Sequence, residues 1–268
     1  MSRVSHALPQ ANTEAPHTPQ ALIAALIENE RQAMLTRERY TYLSNERSDR
    51  TGGHMWTEHV VETAQGRVRL LTAVDGQPVS AERMQQERTR LNAIAADPAE
   101  FIRREQAQRS DEEHSRHLLE LLPVDFLFDN VRLQDGVWRI EFRPNPAVSP
   151  SSIEDQVLHG MSGWLSIDER QLRMLHIEGR LEQDVSIGFG ILANIHAGSH
   201  FSSDRQLVEG HWRTVHVITD IRGKAALFKS VSRNGDLTRS DFHYLDHSVT
   251  VPEAVTLLLR PAGAAASR

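Results

Sequence analysis

Between Phe142 and Phe242 the chain runs as short segments of alternating apolar and polar residues, broken by Gly, Asp and Asn. Leu175, Ile177 and Leu181 fall on one side of a pleat, while His176, Glu178, Arg180 and Glu182 fall on the other. A period of two over such lengths specifies half-buried strands, and a succession of them specifies an antiparallel sheet with one apolar face. No catalytic signature interrupts the series, so the sequence speaks more clearly about architecture than about chemistry.

The rest of the chain fits around that sheet. Residues 1–18 read as a disordered arm with Pro9 and Pro16 among small polar residues. Thr18 is placed as an N-cap and Pro19 at the first helical position, ahead of a stripe of Leu22, Ile23, Leu26, Ile27 and Met34. Strands are expected at Tyr40–Arg47, Met55–Thr63 and Arg67–Val74, with Asp75-Gly76 ending the meander. Ser80–Ala96 and Pro98–Leu122 carry helical patterns, and strands resume from Asp125. Asp135-Gly136 and Glu209-Gly210 have hairpin chemistry, and Asn234-Gly235 is either a further hairpin or an interruption of one long strand. The fold class is therefore α+β: a strongly curved antiparallel sheet, an incomplete barrel, with helices packed on its concave side. Residues 19–245 form the domain, and residues 246–268 form a tail with no assigned fold.

Composition excludes several functions. A net charge of −6 gives nucleic-acid binding no electrostatic support. The absence of cysteine removes disulfides, thiolate nucleophiles and cysteine-ligated zinc. Met1–Thr18 lacks the apolar run of a signal peptide, and no segment has the length of a membrane span.

The 14 histidines make metal binding the first chemistry to weigh. His114 and His117 stand three apart on an expected helix beside Asp111 and Glu113, a spacing that puts two imidazoles on one face. His196 and His200 flank a turn, while His211 and His216, five apart, fall on opposite faces of a regular strand. No spacing supplies a third and fourth ligand, and no metal or cofactor is assigned. Gly188-Phe189-Gly190 has the wrong spacing for a nucleotide loop and reads as a bend in a strand, from which Phe189, Ile191 and Leu192 turn inward or line a mouth. Neither Gly160-Met161-Ser162-Gly163 nor Gly198-Ser199-His200 is a nucleophile elbow. Trp138, Ile140 and Phe142 share one strand face, opposite Arg139, Glu141 and Arg143, and Trp164 follows on the next strand. These aromatic groups either pack a core or project into an unfilled concavity.

Three segments, Phe142-Arg143-Pro144-Asn145-Pro146, Asp184 to Leu192 and Ala226-Leu227-Phe228-Lys229-Ser230, resemble a family of bacterial envelope proteins similar to the LolA/LolB lipoprotein carriers. That resemblance implies an incomplete barrel with helices in its mouth, no enzymatic activity, and a cavity for an acyl chain. It also implies a place in the periplasm or cell envelope, with an envelope protein as a partner. Candidate ligand-binding residues under it are Trp138, Ile140, Phe142, Trp164, Phe189, Ile191 and Leu192. Two alternatives stay open: a structural or scaffolding envelope domain whose own side chains fill the concavity, and a histidine-based metalloenzyme.

Overall fold

The computed structural model describes residues 18–35, 39–108, 120–150, 152–187, 193–225 and 233–260. Helix α1 (Pro19–Leu35) begins where expected, with the Thr18 hydroxyl accepting from the Ala21 amide at 3.2 Å. There follow β1 (Arg39–Ser48), β2 (Met55–Glu62), β3 (Arg67–Val74) and the two-residue β4 (Gln77–Pro78). Next come α2 (Ala81–Ala96), α3 (Ala99–Gln108) and a short helix at residues 120–125, α4. The second meander comprises β5 (Phe126–Gln134), β6 (Val137–Pro144), α5 (Ile153–His159), β7 (Met161–Asp168) and β8 (Met174–Leu181). Then come β9 (Val185–Ile187), β10 (Ala193–Ile195), β11 (His200–Val208), β12 (His211–Ile221), β13 (Gly223–Ala225), β14 (Arg233–Leu245) and α6 (Val251–Leu259).

Eleven strands form one sheet in the order β4-β3-β2-β1-β14-β12-β11-β8-β7-β6-β5. Every pairing is antiparallel, and the edges β4 and β5 are not hydrogen-bonded to each other, so the sheet is open. Asp75-Gly76, Asp135-Gly136 and Glu209-Gly210 each place both residues at positive φ, the type I′ geometry that matches strand twist. Asn234-Gly235 is not a turn: Asn234 pairs with Asp220 and Gly235 with Thr219 inside the β12–β14 ladder. A three-stranded sheet, β13-β10-β9, closes over Met161, Leu181 and Ile195.

Residues opposite one another in a ladder share a face, so register assigns the sides of the sheet. Ile140, Leu165, Ile177, Ser203, Val217, Leu237, Glu46 and Trp56 follow one another across eight strands on a single face. Helix α1 packs on this face, with Leu22, Ile23 and Leu26 against Trp138, Ile140, Phe142, Leu165 and Ile167. Val60 and Val61 are consecutive and point to opposite sides. Val60 joins Tyr40, Tyr42 and Phe242 on the α1 face, whereas Val61, Val68 and Leu70 meet Leu91 of α2 and Val251, Ala254 and Val255 of α6.

The helices are thus divided between the two faces. This corrects the expectation that they gather on one concave side: β2 and β3 alternate with apolar residues on both faces, so each face of that hairpin recruits its own cover. Residues 250–259, unassigned from sequence, supply part of that cover as a capped helix. In β8 a bulge at Leu175 brings Met174 rather than Leu175 into the core.

Candidate functional site

Trp138, Ile140 and Phe142 come together as expected, but beneath α1 rather than around open space. Ile140 is 0% exposed and Trp138 7% exposed, in one cluster with Leu22, Ile23 and Leu26. The C-terminal half of α1 is held differently, through polar groups. Asn29 donates to the carbonyls of Gln171 (3.1 Å) and Leu172 (3.3 Å). Glu30 accepts from Arg173 Nε at 2.9 Å and the Met174 amide at 3.2 Å, and lies 2.6 Å from Arg205 Nη1. Burial pushes the Glu30 carboxyl up, but the two guanidinium groups outweigh it and hold it below its ordinary value.

Beyond α1 the described residues cover the same face only in part. Strands β11 and β12 carry no buried residue: Phe201, Ser203, Val217 and Thr219 are all half-buried, as are Ile177 before them and Leu237 after them. Phe201 and Ile221 lean on the small sheet's cluster, and Val215 leans on Tyr40 and Phe242. Ile177, at the edge of the α1 cluster, Val217 and Leu237 therefore lie along a half-buried, largely apolar strip that crosses β8, β11, β12 and β14, with Ser203 as its member on β11.

At its far end the strip becomes charged. Glu58 is buried on β2 and accepts from Arg50 at 2.7 Å, with Arg69 Nη1 at 3.5 Å. Arg50 also donates to Glu46 at 2.6 Å, and Arg67 lies 3.8 Å from Glu62. Burial acts to lower the Arg50 pKa, yet Glu46 and Glu58 hold it above the usual arginine value. Arg239 stands directly across from Ser44 in the β1–β14 ladder, its guanidinium 5.5 Å from the centre of the Tyr42 ring. It makes no hydrogen bond or ion pair with the described residues, and desolvation lowers its pKa.

Trp164 is on the opposite face. Its ring is stacked on His176 at 4.2 Å and lies under the Arg139 guanidinium at 3.8 Å, while its indole N–H donates to Glu178. It has no access to the α1 side. Phe189, Ile191 and Leu192 lie outside the described residues, as do His114 and His117. Several of the described histidines take other partners. His176 pairs with Asp204 at 2.6 Å, His216 with Asp236 at 2.8 Å, and His211 stacks on Tyr244. Among the described residues no group of three or more His, Cys, Asp or Glu is placed to hold a metal ion.

The strip residues Ile177, Val217 and Leu237, and the polar trio Arg239, Tyr42 and Ser44, are not singled out by sequence reasoning. Ile177 belongs to the alternating segment, but alternation gives a face, not what covers it. Arg239 sits where the pattern reads simply as polar.

No protein-family model matches the chain. No curated protein matches it either. A solved structure that does match is that of LolA superfamily protein NE2245 from Nitrosomonas europaea. It is 10% identical, with 87% of this chain and 96% of that one covered at a TM-score of 0.30, a similarity too loose to transfer a function.

Proposed function

We propose that this chain is a non-enzymatic binding protein that accepts the acyl part of a lipid-like ligand along the open strip, with α1 yielding to it. The supporting observation is the unequal cover of one apolar face: α1 packs on β5 to β8, while the same face continues across β11 and β12 half-exposed. An acyl chain laid beside α1 would complete the burial that the helix begins. At about 0.8 kcal/mol per methylene, ten methylenes would supply roughly 8 kcal/mol, the scale of a micromolar Kd before ordering costs. The LolA/LolB-like segments agree with a carrier of this kind, and an envelope location and an envelope partner belong to the same proposal.

A second reading has its own support. Leu22, Leu26, Ile140, Leu165 and Ile167 are each 0% exposed, so the region expected to form a cavity is filled by the chain's own side chains. On that reading the protein is a structural or scaffolding domain, and the strip is a surface for another protein. Native mass spectrometry after gentle purification, with a titration of a fluorescent fatty acid, separates the two. The carrier reading expects an added lipid mass and a saturable signal; clean apo spectra with no saturation leave the scaffolding reading in its place.

A further inference from the structure

The strip ends on two buried hydroxyls without hydrogen-bond partners, beside the guanidinium of Arg239. Tyr42 is 4% exposed and Ser44 1% exposed, and neither hydroxyl has a hydrogen-bond partner among the described residues. Both project from β1 on the α1 face, two residues apart, and Arg239 pairs with Ser44 from the neighbouring strand. A buried hydroxyl without a partner has given up its hydrogen bonds to water and gained none in return. Leaving two such hydroxyls side by side is unusual in a folded interior.

The surrounding charges do not supply the missing partner. Glu46 and Glu58 are bound to Arg50, with Arg69 also beside Glu58, and Glu62 is the neighbour of Arg67. Among the described residues, these three carboxylates make their ion pairs with Arg50, Arg69 and Arg67, and Arg239 makes none, feeling Glu62 only through longer-range attraction. Unlike the two hydroxyls, Arg239 keeps part of its surface exposed.

We propose that Arg239, Tyr42 and Ser44 form an anion site that takes the oxygens of a carboxylate or phosphate group. Arginine suits this task because its planar donors meet two oxygens at once, and the two hydroxyls can each donate a further hydrogen bond. The inference deepens the acyl reading and rests on it for one of its two sources of anion: the head group of an amphiphile whose chain lies along the strip. A small free anion is the other. In a ladder of strands spaced about 4.8 Å apart, Leu237 on β14 is four steps from Leu165 under α1, or roughly 19 Å. The polar end and the apolar end of the face are thus separated as they are in an amphiphile.

The full chain is titrated calorimetrically with dodecanoate, with methyl dodecanoate and with inorganic phosphate, as wild type and as Arg239→Met and Arg239→Lys. The expected result is dodecanoate bound roughly tenfold or more tighter than its ester, a preference abolished by Arg239→Met and reduced by Arg239→Lys. Phosphate binding that vanishes in Arg239→Met supports the site with either lipid result. Equal affinity for acid and ester without phosphate binding overturns the anion site and leaves the acyl reading standing. Failure of both lipids overturns the acyl reading, and phosphate alone then decides the anion site: none bound, and it too is overturned. The melting temperature of Arg239→Met is expected to equal or exceed that of wild type, since an unmatched cation has been removed. A marked fall would assign Arg239 to structure and overturn the proposal.

Discussion

The carboxylate of Glu30 on α1 takes the guanidinium of Arg173 through two contacts, at 2.9 Å and 3.2 Å, and so pins the helix to the start of β8. Burial raises the Glu30 pKa, but Arg173 and Arg205 together bring it below its ordinary value. A carboxyl depressed by folding contributes stability above its unfolded pKa of about 4.3, and that contribution is lost as pH falls through the folded value. Glu30→Gln is expected to lower stability by about 3–5 kcal/mol at pH 7, because two arginines lose their counter-charge. The variant's melting temperature should also fall less between pH 5 and pH 3 than that of wild type. Thermal unfolding across that range checks both; parallel pH profiles would show that Glu30 does not carry the acid sensitivity.

Core and strip respond differently to substitution. Ile140→Ala removes a fully buried side chain beneath α1 and should cost about 2–5 kcal/mol in denaturant unfolding. Val217 lies half-buried on β12, so Val217→Asp should leave the melting temperature much closer to wild type. If the strip holds an acyl chain, Val217→Asp nevertheless abolishes fatty-acid binding, while Ile140→Ala retains it below its melting temperature. A Val217→Asp protein that still binds removes the strip from the ligand's path.

Sequence periodicity carried most of the sheet. The strand at His211–Ile221, the hairpin at Asp135-Gly136 and the helix begun by Thr18 and Pro19 all stand where the residues put them. Local chemistry decides these, since pleat alternation, type I′ turns and helix capping need no tertiary information. The division of the helices is another matter. Val60 and Val61 are both buried, and only their packing against different partners shows that the hairpin is covered twice. For the same reason Trp138 and Trp164 look equivalent in the chain yet fall on opposite faces, one under α1 and one beneath Arg139. Arg239 is invisible to pattern reading because its significance is a missing partner, which depends on where Glu46, Glu58 and Glu62 spend their charge.

Two glycines at the β7–β8 crossing make a graded test of the register. Gly163 and Gly179 face each other, and a Cβ on Gly163 would lie 1.9 Å from the Glu178 carbonyl oxygen. A Cβ on Gly179 would meet the Phe201 ring at 2.6 Å. The first obstacle is backbone within the ladder and the second a side chain on a half-buried residue. Gly163→Ala is therefore expected to cost more than about 3 kcal/mol, the upper end of ordinary overpacking, and Gly179→Ala about 1–3 kcal/mol. Urea unfolding of the two variants gives the order; equal costs would mean that the β7–β8 pairing is not the one described.

The C-terminal helix offers the sharpest check on how the second face is closed. Thr250 caps α6 with its hydroxyl toward the Glu253 amide, and Glu253 returns the contact by accepting from the Thr250 amide at 2.8 Å. Pro252 sits in the first turn, where its missing N–H has no helical partner to lose. The helix so started buries Val251, Ala254 and Val255 in the cluster that holds Leu91 of α2 and Val68 of β3. Thr250→Ala should cost about 1 kcal/mol through the cap alone. Leu91→Ala should cost about 2–5 kcal/mol, and combining it with Val255→Ala should depart from additivity by about 0.5–3 kcal/mol, because both side chains fill one cluster. Strict additivity in that double-mutant cycle, measured by denaturant unfolding, would detach α6 from α2 and leave the outer face of β2 and β3 without its cover.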